Sequence, residues 1–192
     1  VPPLHLGLGP WSIRGGEEGL FPLQLDATTA DFGIALKLGS GDRSMVAQGD
    51  RGLSRKSAAP GTASYYYSYT RLPTRGDVII DGERVEVTGN SWFDREWSSS
   101  ALADDQAGWD WFALQLDDGR DLMFYRMRGT DGGAQRFSQG VMVGQDGSTE
   151  RLILDDVELV PTRRWRSPDG IEYPVEWQLT VPRLGIAVRV QA

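Results

Sequence analysis

Apolar and polar positions alternate along this chain in short runs, the period of strands with one face turned to a core. No stretch sustains the wider spacing of an amphipathic helix. Such runs cover Leu20–Ala27, Phe32–Leu38, Asp77–Ile80, Arg84–Thr88, Trp109–Leu116, Leu122–Arg128, Val141–Val143, Arg151–Leu154, Val175–Val181 and Ile186–Val190. Asp-Gly pairs stand among them, at Asp81-Gly82, Asp118-Gly119, Asp131-Gly132, Asp146-Gly147 and Asp169-Gly170. Asp-Gly suits a tight turn, because glycine enters the left-handed region at little cost and Asp can bond its own backbone. Short strands joined by such turns predict an all-β, antiparallel sandwich or barrel. The one candidate for a helical turn, Ser98–Ala107, is short and polar. The loop-rich stretch Gly39–Gly61 separates an N-terminal strand pair from an aromatic-rich remainder, which places a sub-domain boundary near residues 60–75.

Composition then removes most catalytic chemistries. The 192 residues are 40% hydrophobic and 24% charged, an ordinary globular mix that fits one domain or two small ones. There is no cysteine, and the single histidine, His5, lies in a terminus rich in Pro and Gly. A disulfide framework and a thiolate nucleophile are therefore excluded, and a Ser-His-Asp triad or a histidine-rich metal site has almost no material. No metal and no cofactor are expected. With 20 basic against 27 acidic residues the net charge is -7, and no basic cluster is interleaved with aromatics, so nucleic acid is not an expected partner. The basic residues are 18 Arg and only 2 Lys. No apolar run approaches the ~18 residues of a membrane-spanning helix, and the opening VPPLHLGLGP has no basic n-region of a signal peptide.

Three aromatic segments hold the candidate chemistry. In Tyr65-Tyr66-Tyr67-Ser68-Tyr69-Thr70, strand alternation puts Tyr65, Tyr67 and Tyr69 on one face. Such a row suits a pocket wall for an apolar ligand, and it equally fits a half-buried rim of an ordinary sheet. In the segment from Gly89 to Trp97, alternation groups Trp92, Asp94 and Glu96 on one face and Ser91, Phe93, Arg95 and Trp97 on the other. A carboxylate beside Trp and short of water has its pKa raised, so it keeps a transferable proton nearer neutral pH. The competing reading is a self-neutralising Asp94–Arg95–Glu96 cluster. The third segment, Gly108 to Arg128, reads as a hairpin about Asp118-Gly119. One register sets Phe112 against Tyr125 and Leu114 against Met123, with Trp111 on Arg126 and Trp109 on Arg128 as cation–π pairs. Both faces of that hairpin would be largely covered, which core packing alone also explains.

Taken together, the strings GDRGLSRK…ASYYYSYTRL, VTGNSWFDREWS, GWDWFALQLDDGRDLMFYRMR and RRWRSPDGIEYPVEWQL resemble the AttH-like proteins. This lipocalin-like superfamily includes carotenoid hydratases and proteins described as secreted hydrolases. The resemblance runs from about Gly49 to the C-terminus and implies two lipocalin-like antiparallel barrels. In the hydratase branch it implies water addition to an isoprenoid double bond. It assigns the acid to Asp94 and an aromatic partner to Trp92, where hydratases tend to carry Tyr. Hydratase aromatic and histidine positions fall near Tyr65 and Tyr67, and this chain has no histidine there. Such proteins are about twice as long. The chain therefore corresponds to the middle of one, with residues 1–70 the end of a first β unit and 71–192 the start of a second. Sheet edges left open would be covered by a missing segment or by self-association. An extracytoplasmic location, periplasmic or secreted, follows from the same resemblance.

The expected function is binding of an elongated hydrophobic ligand, isoprenoid or lipid-like, with water addition by carboxylic-acid catalysis as the enzymatic form. Asp94 would protonate the double bond, and Glu96 would orient the water. Trp92, Tyr65, Tyr67, Trp109, Trp111 and Tyr125 would line the ligand and steady a carbocation. The alternatives are a non-catalytic carrier associated with an export system or membrane surface, and a natural-product cyclase.

Overall fold

All five Asp-Gly pairs are turns. Their glycines have φ between 80° and 83°, the region only glycine enters freely. At Asp81-Gly82 the Asp is also left-handed, φ 51°, which makes a two-residue hairpin between Ile80 and Glu83. The other four share one form, in which the glycine N–H donates to the carbonyl three residues back, on Leu116, Gly129, Gly144 and Ser167.

The computed structural model describes residues 3–98 and 102–192. Its first sheet contains β1 (His5–Leu8), β2 (Trp11–Arg14), β3 (Leu23–Thr28), β4 (Phe32–Leu38), β5 (Val46–Ala47), β6 (Leu53–Arg55), β7 (Ala63–Ile80) and β8 (Glu83–Trp97). The second holds β9 (Gln106–Gln115), β10 (Asp121–Gly129), β11 (Gln139–Val143) and β12 (Thr149–Ile153). The third is β13 (Glu158–Arg166), β14 (Glu172–Val181) and β15 (Ile186–Gln191). Every strand pair is antiparallel. Among the described residues there is no α-helix, only 3-10 turns at Leu154–Asp156 and Pro182–Leu184. Part of the Ser98–Ala107 stretch, residues 99–101, lies outside the described residues; Ala103–Gln106 forms a turn.

β7 organises the first sheet. It pairs with β8 from Tyr65 to Ile80, while β6, β5 and β4 attach in turn along it. Residue 70 falls within β7, and the change of sheet comes after β8.

The second sheet is the middle layer. On one side Phe112, Leu122, Phe124, Met142 and Leu152 pack on Leu159, Trp177, Leu179, Val181 and Ile186 of the third sheet and its adjoining turn. On the other side Met123, Tyr125, Met127, Val141 and Val143 meet Val46 and Tyr66 of the first. A separate cluster, centred on Leu23, Leu38 and Leu72, occupies the remaining face of the first sheet. Two guanidiniums bolt the first two layers together, since Arg71 Nε lies 2.8 Å from the fully buried Asp121 carboxylate, which Arg43 also contacts.

The β9–β10 hairpin forms, one residue out of the expected register. Phe112 faces Phe124, Leu114 faces Leu122, Trp111 faces Tyr125 and Trp109 faces Met127. The reason is the loop, which closes from Leu116 N–H to the Arg120 carbonyl at 2.8 Å with the glycine turn inside it. The Trp111–Arg126 and Trp109–Arg128 stacks are thereby replaced. Arg126 faces Asp110, and its Nη2 lies 2.8 Å from that nearly buried carboxylate. Strand β13 was not signalled by alternation, because Leu159 is its one buried residue and β14 supplies its pairing.

Candidate functional site

Alternation along β7 turns Ser64, Tyr66, Ser68 and Thr70 inward, and a bulge after Tyr69 sends Leu72 to the other face. The antiparallel register sets Ser68 against Asp94 and Tyr66 against Glu96, so β8 presents Trp92, Asp94 and Glu96 to the same interior, as its alternation predicts. From the second sheet Trp109, Trp111, Tyr125 and Met127 face them. Between these walls lies a cavity of about 250 Å³, lined also by Lys56, Trp97 and Leu102.

Asp94 sits one side chain behind the cavity wall. Its Oδ1 accepts hydrogen bonds from the Trp92 indole at 2.9 Å and from the Ser68 hydroxyl, and the buried Gln48 amide donates to Ser68 at 2.9 Å. Burial pushes the Asp94 carboxyl above its ordinary range. Hydrogen bonds from Ser68 and Trp92, with the Tyr66 hydroxyl nearby, pull it back in part, and the Glu96 charge pushes it up further. Burial and the neighbouring Asp94 charge likewise raise the Tyr66 hydroxyl, which accepts from the Trp111 indole at 3.2 Å. Tyr66 thus bridges Asp94 and the cavity.

Across the cavity, Lys56 Nζ pairs with Glu96 Oε1 at 2.8 Å and lies 4.0 Å from the centre of the Tyr125 ring. Ser64 donates to the same Glu96 oxygen. The Tyr125 hydroxyl is held by Ser54 at 2.8 Å and by Gln139 at 2.6 Å. Backbone and amide contacts fix the lysine's own position, with Gln106 Nε2 on the Lys56 carbonyl at 2.6 Å. Among the described residues no cluster of three His, Asp or Glu could hold a metal ion.

Of the residues singled out in the sequence, Glu96, Trp109, Trp111 and Tyr125 line the cavity. Asp94 and Trp92 stand behind it, Trp92 against the Tyr66–Tyr125 cluster. Tyr65 and Tyr67 are a correction. They lie on the opposite face of β7, where both rings pack on Trp97, at 5.6 and 6.1 Å between centroids. Strand parity leaves no other arrangement once Ser68 is paired with Asp94, and Tyr66 takes their place. Lys56 was missed altogether. Its signal was compositional, a lysine where arginine is otherwise the rule.

A family model described as AttH-like matches residues 1–192. The chain belongs to the AttH-like family. An AttH protein from Nitrosomonas europaea, known from its crystal structure, is 33% identical and superposes with a TM-score of 0.82, covering 92% of this chain and 54% of that one. Kievitone hydratase from Nectria haematococca is similar in fold, with a TM-score of 0.74 at 18% identity over 95% of this chain and 56% of that one. The chain thus spans about half the length of these AttH-like and hydratase structures. No curated protein matches it. The antiparallel, lipocalin-like β architecture is therefore the fold of this AttH-like chain.

Proposed function

We propose that this AttH-like chain binds an apolar, isoprenoid-like ligand in the aromatic cavity and adds water to one of its carbon–carbon double bonds by acid catalysis. One observation carries the reading: a carboxyl held above its ordinary pKa by burial, Asp94, with the Tyr66 phenol between it and a wall of Trp and Tyr.

The chemistry needs a proton donor, a surface that stabilises a cation, and a water. As the Tyr66 O–H proton passes to the alkene carbon, the phenol oxygen takes the Asp94 proton, so the net donor is the carboxylic acid. The resulting carbocation lies against the ring faces of Trp109, Trp111 and Tyr125. Water then forms the new C–O bond and gives its proton to Glu96. Product and substrate differ by one water, and the proton on Glu96 is returned to Asp94 through solvent.

A carrier remains the second reading, favoured by the absence of Asp94 from the cavity lining itself. The two separate on turnover. Incubation with isoprenoid alkenes in heavy-oxygen water, followed by mass spectrometry, should show alcohol carrying the label. Saturable quenching of tryptophan fluorescence without label incorporation would leave the carrier. No quenching by any apolar ligand would remove both.

A further inference from the structure

Resting on that reading, we infer that Lys56 and Glu96 form a socket for a neutral hydroxyl oxygen, filled by the attacking water before the reaction and by the product alcohol after it. The pair is charge-balanced and sits in the cavity wall, with the lysine side chain 16% exposed. It offers one strong donor beside one strong acceptor. A hydroxyl or water oxygen accepts from Lys56 while its O–H donates to Glu96, which completes both groups. A carboxylate can only accept, and the Glu96 charge repels it. A hydrocarbon removes water from the pair and returns nothing.

Among the described residues, nothing else on the walls completes the ammonium in the same way. Tyr125 and Tyr66 present ring faces to it, at 4.0 and 5.6 Å from the centroids. Their oxygens are engaged elsewhere, Tyr125 with Ser54 and Gln139 and Tyr66 with Trp111. The rings hold the lysine in place by cation–π attraction and leave its remaining N–H bonds for a ligand. The socket also fixes where the C–O bond forms. The water held by Lys56 meets the carbon on the side of Glu96, and Glu96 receives the proton as that bond closes.

The test is a fluorescence titration with three matched probes, geraniol, geranic acid and myrcene, at neutral pH. Geraniol should bind about tenfold or more tighter than either of the others, the increment of a hydrogen bond to a charged group. Lys56→Met should erase the advantage over myrcene while myrcene binding persists. Glu96→Gln keeps the lysine and removes the repelling charge, so geranic acid should gain about tenfold. Equal binding of geraniol and myrcene by the unmodified chain, or an advantage that survives Lys56→Met with the fold intact by circular dichroism, would overturn the socket. That result would leave the hydration reading to the label experiment. Geraniol preference without label incorporation would sustain the socket and remove the enzyme. Failure of all three probes to bind would end both.

Discussion

The two faces of β10 divide the molecule into a solid half and a chemical half. Leu122 and Phe124 point toward the third sheet, where Phe112 and Trp177 meet edge to face at 5.3 Å and the filling is apolar apart from the Asp110–Arg126 pair, whose guanidinium reaches the Leu159 carbonyl. Met123, Tyr125 and Met127 point toward the first sheet, where the same strand meets Tyr66, Lys56 and a chain of buried Ser and Gln. One strand thus serves as core on one side and site wall on the other. Parity alone separates them, since successive side chains of a strand leave on opposite faces. The difference shows how such a fold keeps stability and chemistry apart: the face filled mainly by apolar side chains supports the face that must hold polar groups in place.

Substitutions on the two faces should therefore cost different amounts. Phe124→Ala opens a void in the closed face and should lower stability by about 3–5 kcal/mol in denaturant unfolding. Met127→Ala, on a side chain that already borders the cavity, should cost only about 2 kcal/mol. Equal losses would break the contrast between filled and unfilled faces.

The smallest effect is one of pH, and it has opposite signs in the two regions. Asp94 has a raised pKa in the folded chain, so the fold binds its proton more tightly than the unfolded chain does. The stability it contributes is present below the ordinary Asp value of 3.8 and is lost as pH rises through the raised one. Glu176, in the third sheet, is pulled from 4.5 to about 2 by hydrogen bonds from Arg189 and Thr162. Its contribution is present above 4.5 and is lost as pH falls toward 2. Thermal melts across pH should show Asp94→Asn flattening the loss of Tm on the alkaline side of its window. Glu176→Gln should flatten the acid side. A single slope common to both variants would contradict the assignment of either group.

Much of this contrast was legible in the sequence, because turns and parity are local. Each Asp-Gly pair became a turn, and Trp92, Asp94 and Glu96 share a face as alternation requires. Register was less legible. Counting the Asp118-Gly119 loop one residue differently moved every partner in the β9–β10 hairpin and exchanged Trp111 for Asp110 opposite Arg126. The choice between Tyr66 and its two neighbours needed a fact outside β7, namely that Ser68 pairs with Asp94. Lys56 lies in a loop after β6, and only the tertiary fold brings it across to Glu96. Local chemistry could be read from the chain; long-range neighbours came from how the sheets stack.

The most direct measurement compares binding and turnover in Asp94→Asn. The amide keeps the shape and an oxygen acceptor for Trp92 and Ser68, and removes the transferable proton. Quenching of tryptophan fluorescence by an isoprenoid alkene should be unchanged, while label uptake from heavy-oxygen water should fall by about two to four powers of ten, the range of a positioned general acid. Turnover that survives the substitution with binding intact would contradict the assignment of Asp94 as the source of the proton.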